Sequence, residues 1–205
     1  MFERVVKLGG STLSRTGSVA QFINWYRQQP ERLTLLTVGG GWLADSVRHW
    51  QQFRFDKGQN EEAMHFRAIE AMMLNMYSVA TEIGCAIWEP GKSPPMAAGI
   101  AAFQPMNWAK ANRSLPRNWT VTSDSIAAQL AIELCAPELV LFKSRLANQA
   151  ELQQRLSNSE IVDDHFSRLI DQIPRVRIVA TSDDGIGEQW VSDRGSELTL
   201  NPNLN

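Results

Sequence analysis

Cysteine is nearly missing from this chain of 205 residues: only Cys85 and Cys135 occur, without C-x-x-C spacing, and there are three histidines and no histidine cluster. Nothing therefore supports a disulfide framework or a metal site, and both thiols are expected reduced and buried in apolar surroundings. A dominant charge is also missing. Twenty basic side chains stand against 22 acidic ones, which argues against a nucleic-acid-binding surface or a polybasic membrane segment and favours a small-molecule ligand. No run approaches the roughly 18 apolar residues of a membrane span. The opening Met1-Phe2-Glu3-Arg4 leads into a strand pattern rather than a secretory signal, so the expected location is the cytoplasm. Internal repeats and low-complexity segments are missing too.

What is present is enough apolar material for one core, 43% of the residues, and an alternation of strand and helix patterns. Strand patterns at 5–8 and 33–38 are followed by helix patterns around 18–29 and from about 42. Residues 61–82 carry Met64, Ala68, Met72, Met76 and Val79 near helical spacing without proline or glycine. The proline-rich stretch 88–118 reads as loops around a short strand near 99–103. Residues 119–143 read as strand end, helix and buried strand, with Ser123 or Asp124 opening the helix. A polar helix-prone stretch at 149–157, a helix ending near 172 and a strand at 176–180 complete the pattern. This rhythm predicts one α/β unit over residues 1–205 with a largely parallel sheet.

Three loops stand where strands hand over to helices. In VVKLGGS, Gly10 can take positive φ and Ser11 can cap a helix, which would make an ordinary turn. The same residues suit an anion: free backbone N–H groups approach it and Lys7 supplies a compact positive charge. In TVGGGWLAD, Gly39, Gly40 and Gly41 are costly in chain entropy unless backbone must come close to something, either a ligand or a packed helix. The third is TSDS at 122–125. In an open parallel sheet such loops gather along one edge, so one site can use all three. Two nucleotide fingerprints fail here. G-x-x-x-x-G-K-[ST] does not occur; Gly39, Gly41 and Ala44 satisfy G-x-G-x-x-A, but Glu61 and Glu62, at the distance of a ribose-binding carboxylate, lie in a helical pattern. An NAD(P)-dependent oxidoreductase is thus the least favoured reading.

VVKLGGS, TVGGGWLAD and TSDSIAAQLA, in that order, resemble the amino acid kinase family, and GSELTL at 195–200 is similar to that family's closing segment. Within the family the chain looks most like the small kinases acting on [5-(aminomethyl)furan-3-yl]methyl phosphate in methanofuran-type cofactor biosynthesis. The resemblance implies a three-layer αβα sandwich with a mostly parallel central sheet. It implies an acceptor-binding half (about 1–118) and a nucleotide-binding half (about 119–205), ATP with Mg²⁺, and a homodimer or larger homo-oligomer. The implied reaction moves the γ-phosphoryl group to a small phosphorylated or carboxylated acceptor.

Residue by residue, the resemblance implies that Lys7 neutralises the phosphoryl group in flight and that Gly9, Gly10 and Ser11 lie over the ATP phosphates. Gly39, Gly40 and Gly41 would face the acceptor, and alanine at Gly40 or Gly41 is expected to leave the fold intact while blocking phosphate. Asp124 would organise the lysines; as a mere helix cap it would contribute only about 1 kcal/mol. One departure matters. Where many relatives carry a second catalytic lysine, this chain has Glu160-Ile161-Val162-Asp163-Asp164. Lys143, at the end of LVLFK, could supply that charge in catalysis and nucleotide binding, or could simply end a strand. A degenerate member that binds without transferring phosphate is the alternative. His65, with Arg48 or Arg67 nearby for positive charge, could contact the acceptor, or His65 could be a surface or core residue of its helix. With the chain short for the family, the adenine-binding wall would be reduced or come from residues 181–194.

Overall fold

The computed structural model describes residues 1–56, 58–95, 98–157, 159–182 and 185–194. The segment GSELTL lies outside the described residues. At the centre is β1 (Arg4–Leu8), whose five residues are all buried because the strand is covered on both faces. It pairs in parallel with β2 (Leu33–Val38) on one side and with β5 (Glu138–Lys143) on the other. Outward from β2 come β4 (Gly99–Phe103) and the short β3 (Ala86–Trp88); outward from β5 come β6 (Arg175–Ser182) and β7 (Gly185–Asp193). Among the described residues the seven strands run β3-β4-β2-β1-β5-β6-β7, with only the β6–β7 pair antiparallel.

Side chains of period two split the core into two layers. Val5, Leu35, Leu139 and Leu141 join one apolar cluster with Ile126, Ala127 and Leu130 of α6 (Ser123–Glu133). Val6, Leu8, Leu36, Val140 and Phe142 join the other with Val19, Phe22 and Trp25 of α2 (Ser18–Arg27). The long α4 (Glu61–Ile83) contributes Ile69 and Met72 to the first layer and Met76, Val79 and Ala80 to the second. The result is the expected αβα sandwich. α3 (Gly41–Arg54) packs mainly on α4 and leaves Trp42, Trp50 and Phe53 exposed; Leu74 and Tyr77 of α4 are exposed as well.

Several local expectations are corrected. Residues 119–122 form a loop, not a strand end. The proline-rich stretch holds α5 (Pro105–Ala111), for which Pro105 is a suitable first residue because its missing N–H needs no partner there. The helix expected before residue 172 is two short 3₁₀ turns at 166–168 and 170–172, and α7 (Gln149–Gln153) is shorter than the polar stretch suggested. Cys135 is exposed and Cys85 only half-buried, since both lie in the turns just past helix ends rather than in strands.

At the amino ends of the strands, Glu138 is almost fully buried among arginines. Arg4 Nε donates to its Oε2 at 2.9 Å, Arg32 reaches the same oxygen at 3.1 Å, and Arg177 Nε lies 3.0 Å from Oε1. Burial opposes ionisation, but the Arg4 hydrogen bond and the charges of Arg177 and Arg4 hold the carboxyl below its ordinary value. A depressed folded pKa contributes stability that is present at neutral pH and lost as pH falls through the folded value. Glu138→Gln should cost about 3–5 kcal/mol at neutral pH, the scale for breaking a buried ion pair. Urea melts should show the gap from the parent narrowing as the solution is acidified.

Candidate functional site

The connection after β1 leads to β2 on one side, while β5 flanks β1 on the other, so the strand order reverses at β1. Crevices in open α/β sheets lie at the carboxyl ends of the strands at such a point. There a cavity of about 510 Å³ takes in residues from all three sequence stations: Lys7, Gly10 and Ser11; Gly40 and Gly41; and Ser123 and Asp124. Strand alternation puts Lys7 on the face of Val5, and Lys143 on that of Leu139 and Leu141. This is the face covered by α6, so both ammonium groups meet the amino end of that helix.

Asp124 is where they meet. Lys7 Nζ stands 2.8 Å from Asp124 Oδ1, and Lys143 Nζ stands 2.7 Å from each carboxylate oxygen. All three side chains are nearly inaccessible to solvent, at 4%, 9% and 6% exposure for Lys7, Lys143 and Asp124. Burial disfavours the Asp124 carboxylate, but the charges of Lys143 and Lys7 outweigh it and hold its pKa below the ordinary value. For Lys143, burial is the largest cause and Lys7 adds to it; against the attraction of Asp124 they push the ammonium down to about 8. At neutral pH two cations therefore share one anion. The surplus positive charge borders a cavity and suits a polyanionic ligand.

The glycines on either side are in contact with each other as well as with the cavity. Gly9 N donates to Phe142 O and Gly39 N to Leu8 O, so each turn is tied to the neighbouring strand. Gly10 does not adopt positive φ; it opens the one-turn α1 (Gly10–Leu13), whose cap is Gly9 rather than Ser11. Its missing side chain matters because a Cβ would stand 2.2 Å from Gly41 N. The left-handed residue is Gly41, at φ 53°, where a Cβ would also meet Gly10 O at 2.7 Å; a Cβ on Gly40 would meet the Ala44 Cβ at 2.5 Å. Alanine at Gly40 or Gly41 therefore strains the protein itself, contrary to the expectation of an intact fold.

Asp124 is not the cap of α6. Thr122 holds that position, and the capping acceptor comes from Asp163, in the segment 160–164 that offers only carboxylates where many relatives carry a lysine. Asp163 Oδ2 accepts from Thr122 N at 2.8 Å, Thr122 Oγ1 at 2.9 Å and Ser125 N at 3.0 Å, while Oδ1 accepts from Ser125 Oγ and from Phe166 N. One carboxylate thus brackets Asp124 on both sides and leaves its side chain to the lysines. The only sequence signal was an acidic pair, Asp163-Asp164, after the apolar Ile161-Val162, far from the helix that Asp163 caps.

Arg48 and His65 line the far part of the cavity. The Arg48 guanidinium lies 4.6 Å from the ring centre of Trp119 and pairs with Asp45 at 3.3 Å. His65 is buried, with Nδ1 3.2 Å from the carbonyl oxygen of Asn118; burial holds its pKa below the ordinary value, so the ring is neutral at pH 7. It is both a satisfied buried histidine and a piece of cavity wall. Arg67 turns away, exposed and paired with Glu70. After α3 the chain enters α4 directly, and Glu61 and Glu62 begin that helix, so no strand end offers a ribose-binding carboxylate. Among the described residues no group of three or more histidine, cysteine or acidic side chains could hold a metal ion.

No profile of a known protein family matches the chain, and no curated protein matches it in sequence. Solved structures do share its fold. Uridylate kinase from Archaeoglobus fulgidus is similar over 89% of this chain and 92% of that one, at 17% identity and a TM-score of 0.58. Aspartate kinase from Synechocystis is similar over 93% of this chain but 40% of its own, at 13% identity and 0.53; UMP kinase from Ureaplasma parvum is similar over 90% and 91%, at 12% and 0.51. The mostly parallel seven-stranded sheet between helices is an amino acid kinase-like fold.

Because the two glycine turns pack backbone against backbone, Gly10→Ala should destabilise the fold by about 1–3 kcal/mol, the usual cost of overpacking. Urea denaturation measures this directly; a neutral Gly10→Ala would mean that the turns can move apart enough to relieve the 2.2 Å approach of a Cβ to Gly41 N.

Proposed function

We propose that the protein is an ATP-dependent kinase that transfers the γ-phosphoryl group to a small phosphorylated or carboxylated acceptor. The observation that carries this reading is the buried Lys7–Asp124–Lys143 group, with its surplus positive charge at the cavity between two glycine turns. Phosphoryl transfer needs little covalent help from a protein. It needs alignment of the acceptor oxygen with the phosphorus, and fixed positive charge where the three equatorial oxygens carry the negative charge of the transition state. The acceptor oxygen forms its bond to phosphorus as the bond to the bridging oxygen of ADP breaks, and ADP leaves with that electron pair. Lys7 and Lys143 serve as neighbouring point charges toward the moving group, and Asp124 holds both in place. In this reading Lys143 supplies the cation that the segment Glu160–Asp164 does not. Gly39 to Gly41 with Arg48 and His65 then belong to an acceptor half over about 1–118, and residues of about 119–205 to a nucleotide half, which Gly9, Gly10 and Ser11 complete from across the sheet. Mg²⁺ would come with the nucleotide phosphates and neutralise part of their charge.

A phosphate or carboxylate on the acceptor is supported by Arg48, held over Trp119 at the end of the cavity lined by His65. [5-(Aminomethyl)furan-3-yl]methyl phosphate fits that description as an anion with a flat ring, and heads the acceptors to be tried. A second reading, ligand binding without transfer, is favoured by the carboxylates Glu160 and Asp164 in the cavity wall. Turnover separates the two: ATP consumption that depends on an added acceptor supports the kinase, and nucleotide binding without consumption by any acceptor supports the binder.

With a productive acceptor, Lys7→Ala should lower kcat by a factor on the order of 10² to 10³ while the protein still folds, Asp124 keeping Lys143 as its partner, since the lost interaction is strongest in the transition state. A near-parental kcat would remove Lys7 from the reaction.

The pH profile offers an independent check. If transfer needs the Lys143 ammonium, which titrates at about 8, kcat/KM should fall as pH rises through that value. Bound polyphosphate favours the ammonium, so the alkaline limb of kcat should lie higher, and Lys143→Arg should move both limbs upward or abolish them.

A further inference from the structure

The turn at Gly39 to Gly41 has no side chains with which to hold itself, and glycine visits both hands of the backbone map readily. A peptide flip there would exchange a donor for an acceptor at the cavity wall. The backbone bonds Gly39 N to Leu8 O (2.9 Å) and Ala44 N to Gly40 O (3.3 Å) tie the two ends of the turn, and the side chain that grips the carbonyls of both Gly39 and Gly40 is Asn75, on α4. Its Nδ2 donates to Gly39 O at 2.8 Å and to Gly40 O at 2.9 Å. Both partners are carbonyl oxygens, so the amide must present its NH₂ group, and both of its hydrogens are used.

The consequence follows from the peptide unit. All peptide bonds among the described residues are trans, and in a trans peptide the C=O and the N–H point in opposite directions. With the carbonyls of Gly39 and Gly40 drawn toward α4, the N–H groups of Gly40 and Gly41 point away from it. No backbone carbonyl among the described residues accepts from either N–H, and no earlier turn of α3 exists to do so. Gly40 and Gly41 line the cavity, while Asn75 does not.

We propose that Asn75 is a positioning residue, which fixes the peptides 39–40 and 40–41 so that the N–H groups of Gly40 and Gly41 face the cavity as donors to the phosphoryl group in transfer. This rests on the phosphotransfer reading above. Asn75 touches neither substrate; it acts by denying the cavity two carbonyl oxygens, whose partial negative charge would repel the moving group.

The test uses Asn75→Ala, which removes the donors, and Asn75→Asp, which keeps the shape but turns lone pairs toward the two carbonyls. With ATP and a productive acceptor, both should lose kcat by roughly 10- to 100-fold, Asn75→Asp at least as strongly, while KM for ATP stays within about twofold. A merely structural residue would lower the melting temperature without dividing kcat from KM in this way. A second measurement needs no acceptor: with ¹⁵N-glycine labelling, inorganic phosphate should shift the Gly40 and Gly41 amide resonances of the parent, and these shifts should shrink or vanish in folded variants. Folded variants with parental kcat and parental shifts overturn the role of Asn75 and leave the kinase reading standing. A parent that neither turns over nor responds to phosphate overturns both. Should both variants fail to fold, the parent decides alone, since phosphate shifts at Gly9 and Gly10 without any at Gly40 and Gly41 would refute the proposed donors.

Discussion

Asp124 neutralises only one of the two ammonium groups packed against it, and the arrangement of the site follows from that imbalance. A buried charge without a partner is expensive, and the cost rises as water is excluded. Lys143 registers it in an ammonium pushed down to about 8. Such a group is best satisfied when an anion enters the cavity, so in the proposed reaction the apo site is electrostatically incomplete and the phosphates complete it. Glu138, at the other end of the sheet, differs in how its surplus is met: three arginines share its carboxylate directly, and Arg177 is taken up by Glu188 as well, so the charges are satisfied within the protein. One buried cluster is closed and structural, the other open and cationic.

The parallel sheet makes the open cluster possible. Lys7 and Lys143 are far apart in sequence, but Leu8 and Phe142 are paired in register between adjacent strands, which brings the lysines that flank them to the same end of the sheet. Alternation then selects the face, and α6 supplies the carboxylate at its first turn. Little of this tolerates slippage, because a shift of one residue in β5 would turn Lys143 to the opposite layer.

Much of this geometry was legible in the sequence because it is local. LTLLTV and GIAAF are short apolar runs bounded by turn residues, and they are β2 and β4 with the expected limits. The helix at 61–82 differs from α4 by one residue. The stations after β1 and β2 converge because parallel strands end on one edge, a rule that needs no coordinates. What the sequence hid depends on long-range partners. Asp163 caps a helix that begins 40 positions earlier, and nothing in VDDHF points to Thr122 or Ser125. Gly10 looked like a residue of unusual φ, whereas its reason is the backbone of Gly41 pressed against it. The reason for α5 was locally visible in Pro105 but was outweighed by the surrounding prolines.

Orientation of the glycine turns is fixed from outside them, and this links fold to chemistry. A stretch of backbone that must approach a ligand cannot carry bulky side chains, so it cannot brace itself. Bracing has to come from neighbours: from Leu8 and Phe142 through the ladder bonds to Gly39 and Gly9, from the mutual contact of Gly10 and Gly41, and from Asn75 behind. α4 is well placed for the last of these because it is long and its buried side chains reach both core layers, which holds the helix on the sheet. The same helix carries His65 and the apolar residues Ala68, Ile69 and Met72 into the cavity wall. Packing that secures α4 against the core therefore also fixes the backbone donors and the shape of the acceptor end. For that reason a cavity in the core beneath α4 should be felt at the site before it is felt as loss of the fold.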